Sequence, residues 1–113
     1  MDDIVRQTLL YDFYGELLTE HQRRMYEDVV LNDYSYSEIA ENLGISRQGV
    51  HDNIKRCNKI LNEYEEKLHL VDKFEHVKEK ICRIQQLAQD SRLSKEELAA
   101  GVEHISQEIL EEL

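Results

Sequence analysis

Five polar side chains within one short segment have the chemistry for binding nucleic acid. They are Arg47, Gln48, His51, Lys55 and Arg56. Residues three and four apart lie on one side of an α-helix, so this spacing places them together on the outer face of a helix. Arginine can fork onto guanine and glutamine can pair with adenine in the major groove. Lysine and arginine also contact phosphates, which position a protein without reading sequence. The segment therefore predicts a nucleic-acid-binding surface.

A helix-turn-helix would hold this surface in place. Ser35 and Glu38 have the spacing of a capping box, which predicts the start of a helix. Gly44 predicts its end, because glycine adopts the left-handed conformation without a steric penalty. Ser46 predicts the start of a second helix. The residues expected to face the core are Ile39, Ala40, Leu43, Ile45, Val50, Ile54 and Cys57.

Two residues of the second helix are unusual for a basic helix that binds nucleic acid. Gly49 costs about 1 kcal/mol relative to alanine, and we expect another backbone to approach it closely. Asp52 places an acid among groups that would meet phosphates. The alternative interpretation is a helical hairpin with a solvated polar face and no nucleic acid, since fold does not fix function.

Composition predicts an all-helical protein whose total charge opposes nucleic-acid binding. The 113 residues include no proline and four glycines, and the formal net charge is −10. The charge is uneven, because the segment from Ser46 to Lys59 carries four basic residues against Asp52 alone. The candidate surface is therefore locally basic in an acidic chain, which should weaken binding to phosphates.

Apolar spacing and capping residues predict the other helices. We expect helices over residues 2–18, Glu20 to Leu31, and Ser46 to about His69, and two more on either side of a loop at Gln89–Arg92. Capping-box spacing recurs at Thr19 with Gln22, Asp72 with Glu75, and Ser94 with Glu97. The pair at Asp72 places a break between Leu70 and Phe74.

The predicted organisation is a helix-turn-helix domain of three to four helices at 1–69 and a C-terminal amphipathic extension at 70–113. The extension carries an apolar stripe made of Phe74, Val77, Ile81, Ile84, Leu98, Val102, Ile105 and Ile109. Such a stripe must be buried against something. It could fold back on the first helix, pair as a hairpin, or seal a dimer. We favour a homodimer, because helix-turn-helix proteins often present two recognition helices by two-fold symmetry.

No combination of residues predicts catalysis, a metal site or a cofactor. Cys57 and Cys82 lie far apart in helical patterns, and we expect both to pack as small buried apolar residues. Glu66 and His69 form one Glu-x-x-His spacing, whereas a di-iron bundle needs two. Neither a glycine-rich phosphate loop nor a nucleophile elbow occurs. Tyrosines such as Tyr36 are expected in the core or at its rim rather than stacked on bases.

The sequence also predicts a protein of the cytoplasm that does not bind membranes. The opening MDDIVRQ lacks a basic region followed by a long apolar one, so we expect no signal peptide. No run approaches the ~20 apolar residues that span a bilayer. The acidic polar faces would be repelled by anionic lipids.

Two stretches give the chain a family resemblance. Residues 19–57, TEHQRRMYEDVVLNDYSYSEIAENLGISRQGVHDNIKRC, resemble the last helix-turn-helix domain of bacterial σ factors, which reads the promoter −35 element. Over nearly the whole chain the sequence is similar to the YlxM family, through LLYDFYGELLTEHQ, YSEIAENLGISRQGVHDNIKR and YEEKLHLVDKF. YlxM proteins are small bacterial proteins encoded beside genes of the signal recognition particle pathway.

The resemblance implies a DNA-binding or regulatory protein associated with the signal recognition particle, touching its GTPase or its RNA. It supplies no catalytic residues. Arg47, Gln48, His51, Lys55 and Arg56 stand where a σ-like helix contacts DNA. The leading hypothesis is therefore a nucleic-acid-binding regulator whose ligand is duplex DNA or the particle's RNA. The alternative is a protein-interaction adaptor that modulates the particle's GTPase or RNA without sequence-specific DNA binding.

Overall fold

The computed structural model describes residues 3–113, and every regular element in that range is helical. The elements are α1 (Asp3–Tyr14), a 3₁₀ turn (Gly15–Leu17), α2 (Glu20–Val30), α3 (Tyr36–Leu43), α4 (Arg47–Leu68), α5 (Leu70–Gln89) and α6 (Lys95–Glu112). The predicted all-α class is confirmed. The chain forms two compact units, one ending at His69 and the other running from Leu70 to Leu113. No described helix combines the length and apolar character needed to cross a membrane.

The first helix is shorter than the predicted span of 2–18. Its predicted start at residue 2 lies outside the described residues. At the other end the α-helix stops at Tyr14 and the chain tightens into the 3₁₀ turn. Leu18 is already extended, with φ −79 and ψ 156, and its N–H donates to Gly15 O at 3.1 Å. The chain must extend here so that Thr19 can cap the next helix.

Two of the predicted capping boxes form completely. The Thr19 hydroxyl accepts from the Gln22 N–H, and the Gln22 side chain accepts from the Thr19 N–H. Ser94 and Glu97 make the same reciprocal pair at 3.0 and 3.1 Å. Each pair satisfies two donors that a helix start would otherwise leave open. The backbone and side-chain hydrogen bonds from Ser94 also hold the pKa of Glu97 below its ordinary value.

In the first unit, α4 packs against α1, α2 and α3, and its inner side supplies much of the core. The buried apolar residues of this unit are Leu10, Tyr14, Leu18, Met25, Tyr26, Ile39, Ala40, Val50, Ile54, Cys57 and Leu61. Fully burying one aliphatic side chain stabilises a fold by roughly 1.5–3 kcal/mol. The packing of these buried residues therefore contributes more to stability than any single helix cap, which contributes about 1 kcal/mol.

Tyrosine hydroxyls fasten α4 to the helices around it. Tyr26, with no exposed surface, donates to Asn58 Oδ1 at 2.6 Å. Tyr14 donates to Glu65 Oε1 at 2.6 Å, and Glu65 is only 3% exposed. Each bond joins residues more than thirty positions apart in sequence. These polar contacts fix the rotation of α4 about its axis, which apolar packing alone would define less strictly.

The predicted break between Leu70 and Phe74 is wrong in position, because it lies at His69. His69 adopts the left-handed conformation, with φ 56 and ψ 28, and its N–H donates to Glu65 O. The next helix begins at once with Leu70, so Asp72 lies inside its first turn instead of capping it. An acid there is still favourable, because it meets the positive end of the helix dipole.

The second unit is an antiparallel pair of helices, α5 and α6. His76 near the start of α5 lies 3.0 Å from Glu112 at the end of α6, and Arg83 donates to Glu108 at 3.0 Å. The hairpin, one of the three expected ways to cover the apolar stripe, is thus present within this unit. Ile105 is buried by it. Val77, Ile84, Leu98, Val102 and Ile109 are half-buried, and Phe74 and Ile81 remain 41% and 47% exposed.

Replacing Tyr26 by phenylalanine should lower stability and reduce its sensitivity to alkali. Loss of the bond to Asn58 should cost about 1 kcal/mol at neutral pH. Burial raises the pKa of Tyr26 above its ordinary value of 10.0. The folded protein therefore retains a proton that the unfolded chain loses, and stability is lost as pH rises beyond about 10. Urea unfolding at pH 7 and pH 10.5 measures this loss of stability. We expect the free energy of unfolding to fall less between these two pH values in Tyr26→Phe than in the unaltered protein.

Tyr34→Phe is the matched control, since Tyr34 is 46% exposed. It should change neither the free energy of unfolding nor its alkaline decline. An alkaline decline as steep in Tyr26→Phe as in the unaltered protein would contradict the prediction.

Candidate nucleic-acid interface

A tight turn between α3 and α4 places the candidate surface. Gly44 is left-handed, with φ 69 and ψ 30, and its N–H donates to Ala40 O. Ser46 then caps α4, its hydroxyl accepting from the Gly49 N–H at 2.9 Å. At the start of α3 the Ser35 hydroxyl accepts from the Glu38 N–H at 3.1 Å. The return bond from the Glu38 side chain, expected for a capping box, does not form among the described residues.

Three expectations about the turn are corrected. Ile45 does not tuck into the core but is 40% exposed, and Leu43 is 47% exposed. Both residues flank the corner, where the chain reverses beyond the reach of the buried layer. Among the described residues, no backbone atom of another helix lies within 4 Å of a Cβ built at Gly49. A Cβ there would instead lie 3.2 Å from Ser46 Oγ and 3.9 Å from Ile45 Cδ1, so the glycine leaves room for the cap.

The five predicted site residues all lie on the solvent side of α4. Arg47, Gln48, His51, Lys55 and Arg56 are all exposed. The opposite side of the same helix is buried through Val50, Ile54 and Cys57. The structure thus brings the five side chains together along three turns of one helix, the second helix of the motif.

The positive charges of this surface are available to a ligand. Among residues 3–113, Arg47, Lys55 and Arg56 form no ion pair. By contrast, Arg24 of α2 is paired with Glu20 at 2.6 Å. Cations without a carboxylate partner need not break an existing pair to contact a phosphate. The arrangement suits an anionic ligand lying along α4.

Polar contacts within the surface centre on Asp52. Gln48 Nε2 donates to Asp52 Oδ1 at 3.0 Å, and His51 Nδ1 lies 3.7 Å from the same oxygen. The carboxylate therefore orients the amide of Gln48 and sits beside the imidazole of His51. Within the described part of the chain, Asp52 forms no ion pair with Arg47, Lys55 or Arg56, the cations at the two ends of the surface.

Tyr36 is a further member of the site that the sequence interpretation left at the rim of the core. It is half-buried, and its ring meets His51 edge-on with centroids 5.9 Å apart. Together with Arg47 and Gln48, these rings line an open depression of about 490 Å³. The position of Tyr36 as the first residue of α3 could have indicated that it belongs to the site, because the turn brings the starts of α3 and α4 together.

The two cysteines differ. Cys57 is buried on the inner side of α4, as expected, and burial raises the pKa of its thiol. It therefore packs as a neutral apolar group. Cys82 is exposed, so the expectation that it would be buried is wrong. It lies on a side of α5 that neither the apolar stripe nor α6 covers.

The fold and this surface define an all-helical protein of the helix-turn-helix class. The chain belongs to the family described as "Putative helix-turn-helix protein, YlxM / p13 like", which it matches over residues 1–101. The predicted resemblance to the YlxM family is confirmed.

Several bacterial relatives carry the family name UPF0122 protein. The one from Caldanaerobacter subterraneus subsp. tengcongensis is 54% identical over 85 residues, which are 75% of this chain and 73% of the relative. The one from Halalkalibacterium halodurans is 45% identical over 105 residues, covering 93% of this chain and 95% of the relative. A relative from Bacillus cereus strain AH187 is 41% identical over 105 residues, covering 93% and 96%.

Substitution of Gly44 should test the backbone geometry of the turn. Among residues 3–113 nothing lies within 4 Å of a Cβ built there, so we expect the cost of a side chain to come from backbone strain at φ +69. Alanine in the left-handed region should destabilise the fold by about 1–2 kcal/mol. Asparagine, which tolerates that region, should cost less. Urea unfolding of Gly44→Ala and Gly44→Asn measures the difference, and equal stability of Gly44→Ala and the unaltered protein would contradict it.

Proposed function

We propose that this protein binds duplex DNA through the outer face of α4. Arg47, Gln48 and His51 would meet base edges, and Lys55 and Arg56 would meet phosphates. The observation that carries the proposal is the exposure of these cations without ion pairs among the described residues. In helix-turn-helix proteins the second helix lies in the major groove, and α4 is the second helix here.

The acidic remainder of the chain should weaken this binding without preventing it. Up to His69 the chain carries 14 acidic and 8 basic residues. At physiological ionic strength, salt screens exposed charges over about 8 Å. A phosphate against α4 is therefore governed mainly by the nearest cations. We expect modest affinity and a steep dependence on salt.

We further propose that the protein acts in the cytoplasm as a regulatory component of the signal recognition particle pathway. The support for this step is the resemblance to YlxM proteins. The particle's RNA is an alternative ligand for the same surface, because Lys55 and Arg56 would meet phosphates of either nucleic acid. Its GTPase is the candidate protein partner.

A second candidate function is that of a protein-interaction adaptor. The observation that favours it is the apolar side of α5, where Phe74 and Ile81 keep 41% and 47% of their surface exposed. This unit carries ten acidic and six basic residues from Leu70 onward. A basic partner protein would suit that surface, and its binding would survive nuclease treatment.

Removing cations from α4 should weaken DNA binding. We expect Arg47→Ala combined with Lys55→Ala to reduce affinity for duplex DNA at least about tenfold. Each lost phosphate contact should also reduce the slope of log affinity against log salt by about 0.9. Fluorescence anisotropy with random duplex DNA and with the particle's RNA, each at two salt concentrations, measures both quantities.

Lys67→Ala is the matched control on the same helix. Lys67 is exposed and lies twelve residues beyond Lys55, about 18 Å along the axis. It should leave affinity within about twofold, as expected for a group beyond the ~8 Å screening length. Unchanged nucleic-acid affinity in the double variant would overturn the proposed function. Retained binding to a protein partner would then favour the adaptor.

We also propose that the apolar side of α5 and α6 seals a homodimer. A second copy presents the same apolar side, as an isologous interface requires. Two copies would offer two α4 helices to successive major grooves, which matches the way helix-turn-helix dimers bind DNA. On α5, the half-buried residues Val77 and Ile84 lie four residues before and three residues after Ile81, on the same side of the helix.

A charge at Ile81 should separate the subunits. Sedimentation at micromolar concentration should give a dimer of the 13.4 kDa chain, and Ile81→Glu should shift it toward monomer because the interface would bury an unpaired charge. Gln86→Glu adds the same charge on another side of α5 and should leave the dimer intact. A monomeric unaltered protein would contradict the proposal.

A further inference from the structure

Asp52 occupies a position where a purely phosphate-binding helix would gain nothing from an acid. It lies one turn after Gln48 and three residues before Lys55, within the exposed face of α4. Its side chain is 58% exposed. A carboxylate there repels any phosphate that approaches the neighbouring cations. Asp52 therefore either has no effect on function or contacts a part of the ligand other than its phosphates.

Among the described residues, the contacts of Asp52 all involve one of its two carboxylate oxygens. Oδ1 accepts from Gln48 Nε2 at 3.0 Å and lies 3.7 Å from His51 Nδ1. Among the described residues Oδ2 has no hydrogen-bond donor. An ionised carboxylate only accepts hydrogen bonds, so among the groups of a base pair Oδ2 can pair only with one that carries a hydrogen.

Few groups in the major groove meet that requirement. Cytosine presents its N4 amino group there and adenine its N6 amino group, whereas guanine and thymine present acceptors at the equivalent edge. Aspartate paired with cytosine N4 is one of the pairings that the groove geometry favours. A base with an acceptor opposite Oδ2 would instead face a repelling charge, which is how an interface rejects a wrong partner.

The bond to Gln48 adds a second reading group. Because Nε2 donates to Asp52, the amide is held in one orientation, and among residues 3–113 Oε1 and the second N–H form no hydrogen bond. A held amide loses less freedom on binding than a mobile one. The pair therefore presents a fixed pattern of acceptors and one donor along one turn of α4.

We infer that Asp52 is a specificity-determining residue of the DNA surface, whose free carboxylate oxygen accepts a hydrogen bond from the exocyclic amino group of a cytosine. Gln48, oriented by Asp52, contacts the adjoining base pair. The inference rests on the proposed function, because it assigns a role within the same DNA-binding face. With this role, Asp52 contributes to base recognition and does not merely weaken the binding of phosphates by a basic helix.

The test is a comparison of base preference in matched variants. Duplexes selected from a random pool by the unaltered protein would identify a preferred cytosine, and a single replacement of that pair by a thymine–adenine pair should weaken binding roughly 5- to 100-fold. Asp52→Asn keeps the size of the side chain and an oxygen for Gln48 but removes the charge. The substitution should reduce the discrimination between the two base pairs to about threefold or less, which is the scale of a lost base contact. The variant should also bind duplexes of arbitrary sequence more tightly than the unaltered protein does.

Glu63→Gln removes the same charge from the same side of α4, eleven residues on and about 16 Å away. It should leave the base preference intact. Full discrimination retained in Asp52→Asn, with circular dichroism showing it folded, would overturn the inference and leave the proposed function standing. No preference for any base in the unaltered protein would also overturn it. Failure of the unaltered protein to bind any duplex would overturn the proposed function and this inference together.

Discussion

Burial of one side of α4 is the constraint on which the first unit depends. Val50, Ile54, Cys57 and Leu61 are essentially excluded from solvent, and α1, α2 and α3 all pack on this stripe. A helix of 22 residues held so firmly on one side has its other side fixed in direction. The direction of the exposed face that carries the cations is therefore a consequence of the core.

Two hydroxyl bonds refine what apolar packing begins. The stripe would tolerate a modest rotation of α4, because aliphatic contacts are not directional. The bonds of Tyr26 to Asn58 and of Tyr14 to Glu65 are directional and buried at their tyrosine ends. They set the rotation of α4 and hence the arc over which its polar residues project. The buried hydrogen bonds of α4 therefore also determine where its exposed polar residues lie.

The charge of the protein has to be considered locally. A net charge of −10 would ordinarily argue against a nucleic-acid ligand. Screening confines the effect of each exposed charge to its neighbourhood, and between Ser46 and Lys59 the sequence contains one acid, Asp52, beside Arg47, Lys55 and Arg56. The acid is held by Gln48, so the surface combines unpaired cations with an oriented polar pair. Such a surface favours selective over tight binding, because long-range attraction is weak and close contacts must supply the difference.

The sequence by itself determined the starts of α2, α3, α4 and α6. Serine, threonine and glycine act through contacts within four residues, so Thr19, Gly44, Ser46 and Ser94 could be identified from spacing alone. The helical period of Val50, Ile54 and Cys57 likewise determined which side of α4 is buried. The predicted site residues followed directly as the remaining positions of that helix.

Only the tertiary structure decided how those elements meet. It placed the break at His69, left Ile45 and Cys82 exposed, brought Tyr36 to His51, and paired α5 with α6 as a hairpin. Each of these depends on residues distant in sequence or on where the buried layer ends. Local periodicity records which side of a helix is apolar, but it carries no information about how far the neighbouring helix reaches to cover it.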